Sequence, residues 1–309
     1  MNRLLHYEIA KKLGEGKHGA TYQAMDTGFQ RAVAIKLLDH PHTQTDEWKL
    51  DFQSRMALFE TIDDVRLARF YSLEEAEGQR FIVREYIEGR TVAEMVQTNP
   101  IEHAQILEIS LELTTLLKNV HDHGLVHGNL SPTNVLINPR GRVKLCDPGL
   151  GLPDEAWAGF PRTSYGDMVY MAPELFTGGE LTVGTDHYSL GALLYLMWTG
   201  QPLFPDDDPN RLALTIRREP VSFEVRPARD IPGVARLLID KLLAKDPDER
   251  FVSTEELLFT LQGIMSLGVE PTVLVSRKKW SPTPRQYLLI SVLMLLVVIL
   301  WLVVTMTNR

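Results

Sequence analysis

Between Tyr7 and Tyr86 apolar and polar positions alternate in short runs, at Tyr7 to Leu13, Ala20 to Met25, Ala32 to Leu38 and Phe81 to Tyr86. A period of two sends successive side chains to opposite faces of a strand, so the spacing predicts an antiparallel sheet. Asp46 to Ile62 breaks the rhythm. Its apolar residues Leu50, Phe52, Met56, Leu58, Phe59 and Ile62 fall near helical spacing and predict one helix packed on that sheet. From Thr91 onward the pattern lengthens into amphipathic stretches, at Ile101 to His121, Thr185 to Met197, Arg211 to Arg217 and Val234 to Leu243. The expected fold class is α+β, a body with two unlike halves.

A different pattern closes the chain. No charged residue occurs from Gln286 through Asn308, and Tyr287 to Met306 is almost wholly Leu, Val, Ile and Met. About 20 helical residues span roughly 30 Å, the thickness of a bilayer's hydrocarbon layer, so residues 287–306 are expected to form one C-terminal transmembrane helix. Arg277, Lys278, Lys279 and Arg285 precede this span and only Arg309 follows it, which predicts that the N-terminal body stays cytoplasmic. Residues 269–286 carry Pro271, Pro282 and Pro284 without a helical period and read as a juxtamembrane linker. At the front, Met1 to Glu8 mixes polar and apolar residues too closely for the apolar stretch of a signal peptide.

Composition narrows the classes. The 309 residues could hold one large domain or two small ones plus a tail, and 44% hydrophobic with 23% charged residues excludes a disordered body. A net charge of −8 argues against nucleic acid as a partner, because that binding needs a basic surface. Cys146 is the sole cysteine, so no intrachain disulfide forms and a reducing compartment suits the chain.

Candidate chemistry begins at Leu13-Gly14-Glu15-Gly16-Lys17-His18-Gly19-Ala20-Thr21, between two predicted strands. Glycines at this spacing let backbone amides approach phosphates with no β-carbon in the way. Val33-Ala34-Ile35-Lys36 follows on the next strand and adds a cation within reach of them. Further on stand His127-Gly128-Asn129-Leu130-Ser131-Pro132-Thr133-Asn134, Cys146-Asp147-Pro148-Gly149, Met171-Ala172-Pro173-Glu174, Asp186-His187-Tyr188-Ser189-Leu190-Gly191 and Asp246-Pro247-Asp248-Glu249-Arg250. In this order the motifs resemble the landmarks of a protein kinase domain of the serine/threonine, bacterial membrane-anchored type, over about four fifths of the chain. The resemblance implies a bilobal fold with a small β-rich N-lobe over 7–87 and a larger helical C-lobe over 88–268. It implies ATP and magnesium as cofactors. Nucleotide contacts would come from Leu13, Gly14, Gly16, Gly19, Thr21 and Ala34, then from Lys36, Asn134 and Leu136. The metal would sit on Asn134 and Asp147, and Glu174 would pair with Arg250.

His121, His123 and His127 could alternatively be read as a zinc cluster, but they also match the helix end and entry of the kinase catalytic loop. Cys146 reads as a small buried residue, and Asp206, Asp207 and Asp208 as a solvated loop.

The resemblance breaks where the chemistry is most demanding. The catalytic aspartate of the family falls at Asn129, its phosphoryl-steadying lysine at Ser131, and the threonine that bridges them at Asp167. An amide cannot accept the substrate hydroxyl's proton. The changes at Asn129, Ser131 and Asp167 fall on three positions expected to touch, and one reading moves the carboxylate from 129 to Asp167. The position of the lysine-pairing glutamate falls at Arg55, so Lys36 lacks an evident partner. Arg84 stands before Glu85-Tyr86 at the back of the expected adenine pocket, where a buried cation must be answered by a phosphate or an acid. Pro148 replaces a phenylalanine, and Gly128 replaces the arginine that grips an activation-loop phosphate, which weakens any switch through Thr163 or Ser164. What survives is the nucleotide apparatus. The sequence therefore predicts a membrane-anchored pseudokinase that binds ATP and regulates a protein partner, or alternatively a slow serine/threonine kinase.

Overall fold

The computed structural model describes residues 3–16, 19–39, 41–150, 167–206, 208–223 and 231–266. The chain divides into two units, Met1–Pro271 and Thr272–Arg309, and every described residue belongs to the first. No helix among the described residues is long and apolar enough to cross a membrane. The expected span at 287–306 and the linker at 269–286 lie outside them.

The alternating runs form a six-stranded antiparallel sheet in the order β1-β2-β3-β4-β6-β5. Its strands are β1 (Arg3–Leu4), β2 (Tyr7–Gly16), β3 (Gly19–Asp26), β4 (Arg31–Leu37), β5 (Phe70–Ala76) and β6 (Gln79–Glu85). β5 escaped the sequence pattern because all of its residues but one are only partly buried, and its pairing with β6 slips between Phe70 and Ser72. Alternation decides which face is covered. Val33, Ile35, Phe81 and Val83 join Leu4, Tyr7 and Ala24 in a small cluster, while the intervening Ile82 joins the main core.

Helix α1 (Asp46–Phe59) packs on that second face through Trp48, Phe52, Met56 and Phe59. It ends three residues earlier than the apolar spacing predicted, and Leu50 and Leu58, counted among its apolar positions, are exposed. Thr45 starts it by accepting a hydrogen bond from the Trp48 amide at 3.2 Å, with Asp46 and Glu47 at the positive end of the helix dipole.

The other half is helical: α2 (Val92–Thr98), α3 (His103–Asp122), α4 (Val183–Thr199), α5 (Pro209–Arg218), α6 (Gly233–Leu242) and α7 (Thr254–Ser266). A small sheet joins β7 (Arg90–Thr91), at the start of this half, to β8 (Val135–Ile137) and β9 (Val143–Leu145), which follow α3 and the segment 127–134. Every residue of α4 from Thr185 to Thr199 is buried, which marks it as the central post of this lobe, since a helix apolar on all sides must be enclosed. Gly191 permits the contact: a β-carbon there would lie 2.7 Å from Leu242 Cβ on α6. Asp208 caps α5 through the amides of Asn210 and Arg211, so part of the acidic run is a helix start. The α+β division into a β-rich N-lobe and a helical lobe thus matches the expectation.

Candidate active site

The phosphate-cradling glycines sit on a bent hairpin. Strand β2 pairs with β3 as Gly14↔Thr21, Glu15↔Ala20 and Gly16↔Gly19, with irregularities between Ile9 and Lys11 and between Lys12 and Gly14. At Gly19 the backbone has φ +128°, and an added β-carbon would meet the Leu37 carbonyl oxygen at 2.1 Å, so only glycine fits. Leu13 is 38% exposed at the rim. Thr21 lies opposite Lys36, and Ala34, buried, lies opposite Arg84.

Beneath the hairpin Lys36 Nζ meets Asp147 Oδ2 at 2.6 Å, both residues 6% exposed. No acid of α1 answers Lys36. Arg55, at the expected glutamate position, pairs instead with Asp51 one turn back at 2.8 Å. Asp147 is the residue that answers both cations flagged in the sequence, because Arg84 Nε lies 2.8 Å from its Oδ1. That second contact is an ion pair without an aligned hydrogen bond, and Arg84 Nε and Asp147 Oδ1 are both buried with no other partner among the described residues. Burial alone would push the Asp147 carboxyl up, but the charges of Arg84 and Lys36 outweigh it and hold the group down at about 2.

The turn that presents Asp147 is tightly specified. Asp147 has φ +59° and Gly149 φ +68°, the Gly149 amide donates to the His127 carbonyl at 2.9 Å, and Cys146 donates to the Asn134 carbonyl at 2.9 Å. A β-carbon on Gly149 would touch Met56 Cε at 3.1 Å, which shows how closely α1 approaches the turn. Pro148 lines a cavity of about 640 Å³ with Met56, Phe59, Leu67 and Phe70, space that a larger ring at 148 would occupy.

Asp186, from the first turn of α4, holds the catalytic loop from below. It accepts hydrogen bonds from the amides of His127 and Gly128 and from His121 Nε2, each at 2.8 Å. Burial raises this carboxyl and those hydrogen bonds bring it below its ordinary range. Gly128 stands at φ +69°, and a β-carbon would lie 3.1 Å from Leu181 Cδ1, so the local backbone favours the glycine found there over a branched or long side chain. The three histidines go separate ways: His121 to Asp186 and Thr254, His123 to the Asn119 carbonyl, and His127 to the Asn129 amide. No group of histidine, cysteine and carboxylate ligands placed to hold a metal occurs among the described residues.

Asn129 Nδ2 donates to the Asp147 carbonyl at 3.0 Å, and its Oδ1 is buried with no partner among the described residues. Ser131 Oγ is hydrogen-bonded to Thr133 Oγ1 at 2.9 Å. Asp167 Oδ2 lies 3.8 Å from the position of a β-carbon on Gly16, under the glycine hairpin. No side-chain hydrogen bond joins 129, 131 and 167 among the described residues. Asn129 and Ser131 each hold a partner of their own.

The residues of the protein kinase domain family match positions 7–259 of this chain. The chain belongs to the protein kinase family. It is 29% identical over 82% of its length to a Lactococcus lactis protein described as the probable serine/threonine-protein kinase PknB. It is 27% identical over 81% to the serine/threonine-protein kinase PrkC of Bacillus subtilis, and 30% identical over 81% to the serine/threonine-protein kinase PknB of Mycolicibacterium smegmatis. The chain spans about two fifths of the length of these relatives.

In this kinase domain Leu136 packs with Ala68, Ile87 and Cys146 into an apolar layer beside the segment that follows β6. Ala68 and Ile87 were not singled out in the sequence, since isolated apolar residues in loops carry no periodic signal. Cys146 is wholly buried and its thiol is pushed up to about 11 by burial, which makes it an inert wall residue. A glycine-walled cradle, a buried lysine and this apolar layer fit a nucleotide. Magnesium, which the family uses, fits less well. Asn134 Nδ2 donates to the Asn129 carbonyl at 2.8 Å and leaves Oδ1 as a possible ligand, but both oxygens of Asp147 already face cations.

The far anchor of the lobe matches its expectation. Arg250 makes two contacts of 2.7 Å with Glu174 and further hydrogen bonds to the carbonyls of Ala244 and Gly184.

Proposed function

We propose that this chain is a nucleotide-binding pseudokinase that regulates a protein partner through the shape of its kinase domain. The observation that carries the reading is the commitment of Asn129, whose amide donates to the Asp147 carbonyl and offers no base to a substrate hydroxyl. Losing a general base costs about a hundred- to ten-thousand-fold in rate. Ser131, bonded to Thr133, brings no positive charge to a transferring phosphoryl group. Gly19, Lys36 and Leu136, the residues this reading assigns to nucleotide binding, support it.

A second reading, a slow serine/threonine kinase, draws on the names of its relatives and on Asp167, whose carboxylate stands under Gly16 near where a terminal phosphate would lie. The two separate on one preparation. The full-length chain should show a raised melting temperature with ATP and negligible radiolabel transfer to itself or to generic protein substrates. Lys36→Met should abolish the thermal shift. Transfer that depends on Lys36 and is lost in Asp167→Asn would establish the slow kinase instead.

The same proposal places the domain at the cytoplasmic face of a membrane, supported by the uncharged stretch at 287–306 and the basic residues before it. Expressed in cells, the full chain should pellet with membranes and a chain ending at 268 should move to the soluble fraction. Recovery of both in the soluble fraction would refute the anchor.

A further inference from the structure

Asp147 is the most heavily countercharged group in the cleft. Its Oδ2 is 2.6 Å from Lys36 Nζ, as expected of a nucleotide site, but its Oδ1 is 2.8 Å from the guanidinium of Arg84. Arg84 reaches there from the end of β6, where it stands across from Ala34. A divalent metal held by this carboxylate would have to come within about 2.0–2.1 Å of an oxygen. Either oxygen would then place it against a fixed positive charge.

Arg84 brings a second cation to this carboxylate. Arg84 Nε is buried against Asp147 Oδ1 at 2.8 Å, and Nη1 makes a long 3.3 Å contact with the Glu85 carbonyl. Two cations facing one carboxylate leave a positive charge that suits the cleft to a further anion. The glycine hairpin, with Gly16 and Gly19 opposed, is the wall across which phosphates would arrive. The negative groups facing Arg84 are Asp147 and, more remotely, Glu85, which is itself neutralised by Lys144 at 2.7 Å.

Resting on the proposed nucleotide-binding reading, we infer that Arg84 takes the charge-balancing place of the divalent metal, so that this domain binds nucleoside di- and triphosphates without magnesium. Lys36 and Arg84 together neutralise Asp147 and leave net positive charge for the polyphosphate. Such an arrangement retains binding and gives up the bridging metal that aligns phosphates for transfer, in agreement with the amide at 129.

The test is a titration of the purified full-length chain, in detergent micelles, with a fluorescent ADP analogue and a fluorescent ATP analogue, in EDTA and in excess magnesium. Wild-type affinity should differ little between the two conditions. Arg84→Met should bind about tenfold more weakly in EDTA and recover with magnesium, and Arg84→Lys, which keeps the charge, should track the wild type more closely. Wild-type binding about tenfold tighter with magnesium than without would overturn the inference and leave the nucleotide-binding reading standing. An Arg84→Met protein as tight as wild type in EDTA would overturn the role of Arg84. Absence of binding in both conditions would remove the inference and the nucleotide reading together. The wild-type comparison needs no variant, so it decides even where a substitution prevents folding.

Discussion

Asn129→Asp combined with Ser131→Lys raises phosphotransfer by about a hundredfold or more, while Asn129→Asp alone gains far less and lowers the melting temperature. The asymmetry comes from the hydrogen bond that Asn129 makes. Its Nδ2 donates to the Asp147 carbonyl at 3.0 Å. An aspartate there would turn a carboxylate oxygen toward a carbonyl oxygen, exchanging a buried hydrogen bond for repulsion, at a cost of about 1–3 kcal/mol. A lysine at 131 supplies the compensating charge from the same loop. Radiolabel transfer to a generic protein substrate and a thermal melt, run on the wild type, both single variants and the double variant, give the comparison. A double variant that folds and binds nucleotide yet transfers no faster than wild type would show that the missing base is not what limits this site. Arg84 then becomes the next suspect, since it stands on the carboxylate that a metal would need.

The largest effect on stability is expected at the base of the helical lobe. Arg250→Met or Glu174→Leu alone should cost about 3–5 kcal/mol, because each strands a charge that was buried with its partner. In a domain of this size that is a fall of roughly 10 °C in melting temperature. The Arg250 side chain is fully buried, bonded to Glu174 twice, to the Ala244 and Gly184 carbonyls, and set 5.1 Å from the Tyr188 ring. The paired change should recover part of the loss, since two apolar groups leave no orphaned charge. Single variants within about 0.5 kcal/mol of wild type in a denaturant titration would contradict the buried-pair account.

How legible the site was depended on the kind of signal each residue carries. Gly19 and Lys36 were readable because backbone conformation and strand position fix them locally, and the structure gives the reason in the 2.1 Å clash that any β-carbon at 19 would suffer. Glu174 and Arg250 were readable through resemblance alone, since nothing in their local sequence pairs residues so far apart. Arg55 was placed correctly on α1, but its use was not legible: it turns along the helix to Asp51. Leu50 and Leu58 misled, as apolar residues on the solvent side of a helix are ordinary and periodicity cannot say which face is covered.

By itself the sequence determined the β-rich and helical halves, because periods of two and near 3.6 are written residue by residue into which side chains can share a face. It also determined which chemical groups are missing from the catalytic loop. Only the tertiary structure decided what the remaining groups do with one another. Asp147 answers Lys36 and Arg84 together, Asn129 spends its amide on the backbone carbonyl of Asp147, and Asp167 approaches Gly16. Charge pairing in a buried cleft is settled by distances of a few ångströms between segments far apart along the chain, and no local pattern encodes those distances.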